Sequence, residues 1–235
     1  RDGLIRQLLE AGLIDTTEYE LALLEKLPEA PLALPQLAPH LLHHLNEIHD
    51  NASKFSSTID YTLQQNLIDI TNDHYLINKG SDIHNIAVLV ADTKTGKILS
   101  YIGNAHLSKN QNAVDIIHSR RSSGSVLKPI LYAHLIEEGE ILPKTLIADI
   151  PVQLRGFKPK NYYRSYTGAV PADEALSRSL NIPFVLLLQQ YGVEKFIKDL
   201  RAHNISSIDR SAENYGLSLI LGGAEISLFD LTQSY

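Results

Sequence analysis

The chain has 235 residues, 44% hydrophobic and 20% charged, with a formal net charge of -6. This mildly acidic, ordinary globular balance gives no electrostatic ground for a nucleic-acid or anionic-membrane partner, and the length allows one large core or a smaller domain with an appended segment. Cysteine is absent, which excludes disulfides, thiol catalysis and thiolate metal sites.

Methionine is absent too, and the chain opens on Arg1, which reads as a piece of a longer protein. No apolar run is long enough to span a bilayer and no signal peptide opens the chain, so any membrane anchor is expected outside these residues. Leu4, Ile5, Leu8 and Leu9 recur at helical spacing before Gly12, and a second helix is expected from Asp15, with Glu18 completing a capping box. Pro28, Pro31, Pro35 and Pro39 predict an extended strap that cannot be helical. Residues 1–57 therefore read as a linker segment, and 58–235 as the main domain.

His40, His43, His44 and His49 follow the strap. His40 and His44 have the i, i+4 spacing of a zinc pair, but the adjoining glutamate and a third ligand are missing, so a solvated helix face is the preferred reading and no metal is expected. A helix is expected over about 61–78, with Leu63, Leu67, Ile68, Ile70 and Leu76 inward. Asn85 to Ala91, a turn at Asp92 to Gly96, and Lys97 to Ile102 predict a hairpin that opens the main domain.

The next helix is expected to begin near Ser125, because Pro129 fits a first turn and Gly139 suits the position past a helix end. Apolar residues fall on nearly every azimuth of it, so it should be buried on most sides. Ser125 and Lys128, at i and i+3, then share a face one turn apart. Read alone, the pair is as compatible with a cap and an unrelated surface lysine as with a nucleophile and a base whose pKa burial has lowered.

Thr145 to Val152 reads as extended, Gly156 to Tyr162 as a loop, and Ala172 to Leu180 as a short helix broken at Asn181-Ile182-Pro183. Helices are expected over about 183–190 and 192–203, and a last one capped by Ser227 with Asp230. The order, helices, then a hairpin, a central helix and a helical lobe, predicts an α+β fold. Ser179 and Asn181 sit at the helix break, where they serve either as a C-terminal cap or as a hydroxyl and carboxamide facing a cleft.

Ser125-x-x-Lys128 followed 54 residues later by Ser179-x-Asn181 resembles the penicilloyl-serine transferase superfamily of penicillin-binding proteins and serine β-lactamases. Arg121 to Pro129, Gly156 to Tyr162, Ala175 to Pro183 and Leu217 to Gly223 are similar to the transpeptidase domain of bifunctional class A penicillin-binding proteins, most closely those of the 1C type. Thr58-Ile59-Asp60 with Leu63-Gln64, and Ala38-Pro39-His40, look like the connection from that family's glycosyltransferase domain.

The resemblance implies a penicillin-binding/β-lactamase-like fold and a DD-transpeptidase acting on D-Ala-D-Ala stem peptides of peptidoglycan. Ser125 would be the nucleophile, Lys128 its base and Ser179 a proton relay, while Asn181 would bind the donor peptide and orient Lys128. It implies an amine acceptor, β-lactams as covalent inhibitors, no cofactor, and a place on the outer face of the cytoplasmic membrane. The family's third motif, Lys-Thr/Ser-Gly on a strand after the Ser-x-Asn, is expected beyond Tyr235. Lys94-Thr95-Gly96 and Ser108-Lys109-Asn110 precede Ser125 and are set aside. Two alternatives stand beside this reading. A serine β-lactamase of class A would need Glu-x-x-Leu-Asn, which is absent. A non-catalytic domain that senses β-lactams or docks wall-synthesis proteins would have no use for the connection before residue 60.

Overall fold

A computed structural model describes residues 1–26, 36–49, 52–154 and 156–235, which fall into two compact units, Arg1–Gln36 and Leu37–Tyr235. In the first unit, α1 (Asp2–Glu10) is followed by α2 (Thr16–Leu24). The capping box is present: Glu18 N donates to Asp15 Oδ1 at 2.8 Å and Asp15 N to Glu18 Oε2 at 2.9 Å. The extended strap expected at Pro28, Pro31 and Pro35 lies outside the described residues. Pro39, expected to be extended, instead opens α3 (Pro39–Ile48) at the first helical position, where its missing N–H forfeits no bond.

The histidines of α3 are not simply solvated. His40 is buried and its Nε2 donates to Asn112 O at 2.7 Å, while His44 stacks on His118 with ring centroids 4.4 Å apart. The cause is the close approach of α3 to the chain at Gly103, where an added Cβ would lie 2.6 Å from His40 Cβ.

The next helix, α4 (Tyr61–Asn78), is capped by Asp60, whose Oδ1 accepts from Leu63 N at 2.7 Å. Its inner line is Gln64, Leu67, Ile68 and Thr71, whereas Ile70 and Leu76, expected inward, are exposed. A polar side chain holds the most buried place because of what it faces. β1 (Val88–Ala91) and β2 (Ile98–Ile102) form the expected antiparallel hairpin, and backbone groups of β2 point at the helix. Gln64 Nε2 donates to Tyr101 O at 3.0 Å and Leu37 O at 2.9 Å, and its Oε1 accepts from Tyr101 N at 2.9 Å and Ser100 Oγ at 2.7 Å. All four amide valences are filled, which makes burying the side chain tolerable.

Beyond the hairpin come β3 (Arg121–Ser122), α5 (Lys128–Glu137), β4 (Leu146–Asp149), β5 (Gly168–Pro171) and α6 (Ala172–Ser177). They are followed by α7 (Asn181–Tyr191), α8 (Val193–Ala202), α9 (Ala212–Tyr215), β6 (Glu225–Ile226) and α10 (Leu228–Ser234). β4 pairs antiparallel with β5, and β3 with β6. The fold is α+β, as expected. Its main core is the helical lobe, where Leu131 and Leu135 of α5 meet Phe184 and Leu188 of α7 and Phe196 of α8.

Two helix boundaries differ from expectation. α5 starts at Lys128, leaving Ser125 in a turn just before it, and α7 starts at Asn181, so the break falls at Ser179-Leu180. Pro183 is accommodated because it lies in the first turn of α7, where its N–H would have had no intrahelical partner.

Replacing Gln64 by Leu keeps the bulk and removes all four bonds, leaving backbone groups of β2 buried without partners. Urea unfolding should show a loss of about 2–3 kcal/mol for Gln64→Leu, with little change for the exposed Ile70→Ala.

Candidate active site

Ser125 lies at the end of a short clasp. β3 pairs Arg121 with Ile226 and Ser122 with Glu225, and Ser123 N donates to Ala224 O at 2.9 Å. Ser122 Oγ donates to Gly222 O at 2.8 Å. At Gly222, φ is +99°, and a Cβ there would meet Gly124 N and Cα at 2.9 Å and Ser122 Oγ at 2.7 Å. Only glycine lets these backbones approach so closely. From the clasp the chain makes a tight turn, with Val126 N donating to Ser123 O at 3.2 Å and Lys128 N to Ser125 O at 3.1 Å, and enters α5. Ser125 is partly exposed while its neighbours Leu127 and Lys128 are buried.

The lysine is 1% exposed and sits at the first position of a helix that is otherwise apolar inward. Its Nζ donates to Ser179 O at 2.8 Å, Asn181 Oδ1 at 2.8 Å and Ser179 Oγ at 3.3 Å, and lies 5.7 Å from the centre of the Phe184 ring. Three acceptors match the three N–H groups of an ammonium, so this is the geometry of the protonated resting lysine. None of the three acceptors is a carboxylate. Burial therefore acts without a countercharge and pulls the lysine down to about 8 from its ordinary 10.5. At that value about a tenth of the molecules carry a neutral amine at pH 7.

Ser179 reaches Lys128 because it ends α6. Leu180 N donates to Ala175 O and Ser179 N to Leu176 O, both at 2.9 Å, which is the Schellman termination. Its left-handed position, normally glycine, is filled by Ser179 at φ +51°. A serine held there is strained, and the strain turns both its carbonyl and its hydroxyl toward one point. Ser179 thus ends α6 as part of its cap and also faces the lysine. Asn181, the first residue of α7, completes the cradle, and its Nδ2 donates to Lys160 O at 2.8 Å.

Lys128, Ser179 and Asn181 are therefore in direct contact. Ser125 is one turn away, and no hydrogen bond joins its Oγ to Lys128 Nζ among the described residues. Such bonds are often loose until substrate is present. Sequence reasoning assigned no task to Gly222 or to Asn161, whose Oδ1 accepts from Asn181 N at 3.0 Å and Ile182 N at 3.2 Å. Asn161 is a remote cap for α7, whose own cap position is Leu180, with no side chain to offer.

Comparison with known proteins gives a consistent result. The family described as the penicillin binding protein transpeptidase domain matches residues 86–233. Penicillin-binding protein 1C of Escherichia coli is 33% identical over 210 residues, covering 88% of this chain and 27% of that protein. The PonA1 protein from Mycobacterium tuberculosis in complex with penicillin V superposes with a TM-score of 0.62 at 20% identity, over 100% of this chain and 57% of that one. Penicillin-binding protein 1A from Haemophilus influenzae gives a TM-score of 0.61 at 15% identity, over 100% of this chain and 50% of that one.

The lowered lysine makes a prediction about stability. An unfolded lysine holds its proton to about 10.5 and folded Lys128 only to about 8, so between those values the unfolded state binds more protons and stability rises with pH. Below about 8 the burial penalty is present in full. Denaturant unfolding at a series of pH values should show this rise, and Lys128→Met should lack it and be more stable than the parent at pH 7.

Proposed function

This chain belongs to the penicillin-binding protein transpeptidase family, and from that premise we propose that it is a DD-transpeptidase working through an acyl-serine intermediate. The observation that carries the reading is the seating of Lys128 Nζ between Ser179 and Asn181, one turn from the partly exposed Ser125.

Ser125 Oγ attacks the carbonyl between the two terminal D-alanines of a stem peptide. An O–C bond forms, and the serine proton passes to the neutral amine of Lys128. When the C–N bond breaks, that proton leaves on the departing D-alanine, with Ser179 Oγ, already within reach of Nζ at 3.3 Å, as the relay. Asn181 Oδ1 holds Nζ, and the second N–H of its Nδ2, which has no partner among the described residues, donates to the donor peptide's backbone carbonyl. An amine of a neighbouring stem then attacks the ester, forming the crosslink and releasing Ser125. A β-lactam presents the same carbonyl geometry, but its leaving group stays tethered, so it traps Ser125 as a stable ester. The serine, lysine and second serine supply every proton transfer, so this route calls for no cofactor.

The chain spans about a quarter of the Escherichia coli relative's length. Glycan polymerisation and membrane anchorage, on the outer face of the cytoplasmic membrane, are accordingly assigned to the rest of a bifunctional protein in which residues 1–57 form the connecting segment. Among the described residues no helix is long and apolar enough to cross a membrane.

Incubating the full-length protein with a penicillin and measuring intact mass should show one adduct, absent in Ser125→Ala. Lys128→Ala should slow its formation by about 10²–10⁴-fold. An adduct that survives Ser125→Ala would place the nucleophile elsewhere, and one that is lost within minutes would indicate a hydrolase.

A further inference from the structure

The place of Asn181, and through it of Lys128, is set by a polar line that runs back into the protein. Asn161 is 4% exposed and Asp149 fully buried. Asp149 ends β4, where it is paired with Gly168 of β5. Its Oδ1 accepts from Asn161 Nδ2 at 2.6 Å, and its Oδ2 accepts from Thr167 N and Thr167 Oγ1, both at 2.9 Å. Asn161 Nδ2 also donates to Ser165 O at 3.0 Å. On its other side, Asn161 Oδ1 receives the first two N–H groups of α7, those of Asn181 and Ile182.

The chemistry of this line is directional. An amide can present either end, and nothing in the shape of a carboxamide decides which. A carboxylate only accepts, so Asp149 forces Nδ2 of Asn161 to face it and leaves Oδ1 for the helix N–H groups, which only donate. The N-terminus of α7 also carries partial positive charge, which favours a negative group nearby. Among the described residues the other charged group acting on Asp149 is Arg178. Burial pushes the carboxyl up, but the bonds from Asn161 and Thr167 outweigh it and hold the group below the usual carboxylate range, so the line keeps its polarity at neutral pH.

We infer that Asp149 and Asn161 are positioning residues for acyl transfer: together they fix the N-terminus of α7 so that Asn181 Oδ1 holds Lys128 Nζ in register with Ser125. This rests on the acyl-serine reading above and adds to it the buried pair that keeps its base aligned. Neither residue touches Lys128 or Ser125, so their effect reaches acylation through Asn181, the residue that also meets the donor peptide.

The test uses three variants of the full-length protein, Asp149→Asn, Asn161→Asp and the double exchange, with stopped-flow acylation by a fluorescent penicillin. In Asp149→Asn only one acceptor oxygen remains, so the new carboxamide sets an N–H against either Asn161 Nδ2 or Thr167 N. In Asn161→Asp two carboxylates face each other. The double exchange restores a donor between an acceptor on the helix side and the donors of Thr167, but it loses the bond to Ser165 O and sets a carboxylate oxygen against that carbonyl. Each single variant should lower the first-order acylation constant about tenfold or more, and the double variant should be faster than either single variant. Parental rates in the single variants would overturn the inference. So would a double variant no faster than either single one, which would mark a fold defect.

A second readout does not depend on acylation. The ¹³Cε titration of Lys128 should move to lower pH in each single variant, because the ammonium loses a fixed acceptor, and return in the double variant. If the parent is never acylated, the acyl-serine reading fails while this titration still decides the inference: restored midpoints uphold the coupling, and unmoved ones refute it.

Discussion

The constraint on which the rest of the structure depends is a lysine buried without a countercharge. Lys128 is held by two serine oxygens and one amide oxygen, enough to fill its hydrogen bonds and too little to offset its desolvation. A carboxylate in the same place would hold the amine charged across the physiological range and make it useless as a base. An apolar pocket would leave its N–H groups unsatisfied. The neutral cradle lies between those limits, and it explains why Ser179 is tolerated in a backbone conformation that favours glycine. The strain at that residue is what brings both of its oxygens to the amine.

The surrounding architecture can be understood as two supports converging on this point. One brings Ser125: β3 and β6, the turn through Gly124, and the glycine at 222 that lets backbone lie against backbone. The other brings the cradle: the Schellman end of α6 and the N-terminus of α7, capped from outside by Asn161. The hydrophobic core of α5, α7 and α8 joins them, so the distance between Ser125 and Lys128 is set by packed helices instead of mobile loops. The same buried Asn that caps α7 is bonded to Asp149, which ties the β4–β5 hairpin into the cradle.

Much of this was legible in the residues themselves. The hairpin, the capping box at Asp15, the Ser227 cap of the last helix, and the α+β order follow from local rules of periodicity and capping, and these elements stand where expected. The Ser-x-x-Lys and Ser-x-Asn spacings identified the cradle residues, because i to i+3 geometry and a helix break are both local. What could not be seen was non-local. A two-residue strand such as β3 has no pattern of its own and exists only through β6, about a hundred residues later. Gln64 looks like a surface residue until the backbone of β2 is brought to it. Asn161 sits in an irregular loop and Asp149 at a strand end, and only the fold reveals that one caps a helix and the other orients the cap. The helix starts at Lys128 and Asn181 were misplaced for a related reason: prolines in a first turn obey the helix's spare N–H positions, which cannot be located until the preceding turn is known.

The central claim is that the cradle tunes Lys128 to serve as the base for Ser125, and the most direct test is the pH dependence of the second-order rate constant for acylation by a penicillin, which reports the free enzyme's groups. The account predicts a rate that rises with pH through a midpoint near 8, and a midpoint displaced upward by Asn181→Asp, which would set a carboxylate against the ammonium. A rate that is flat from pH 6 to 10, or a midpoint indifferent to Asn181→Asp, would contradict it.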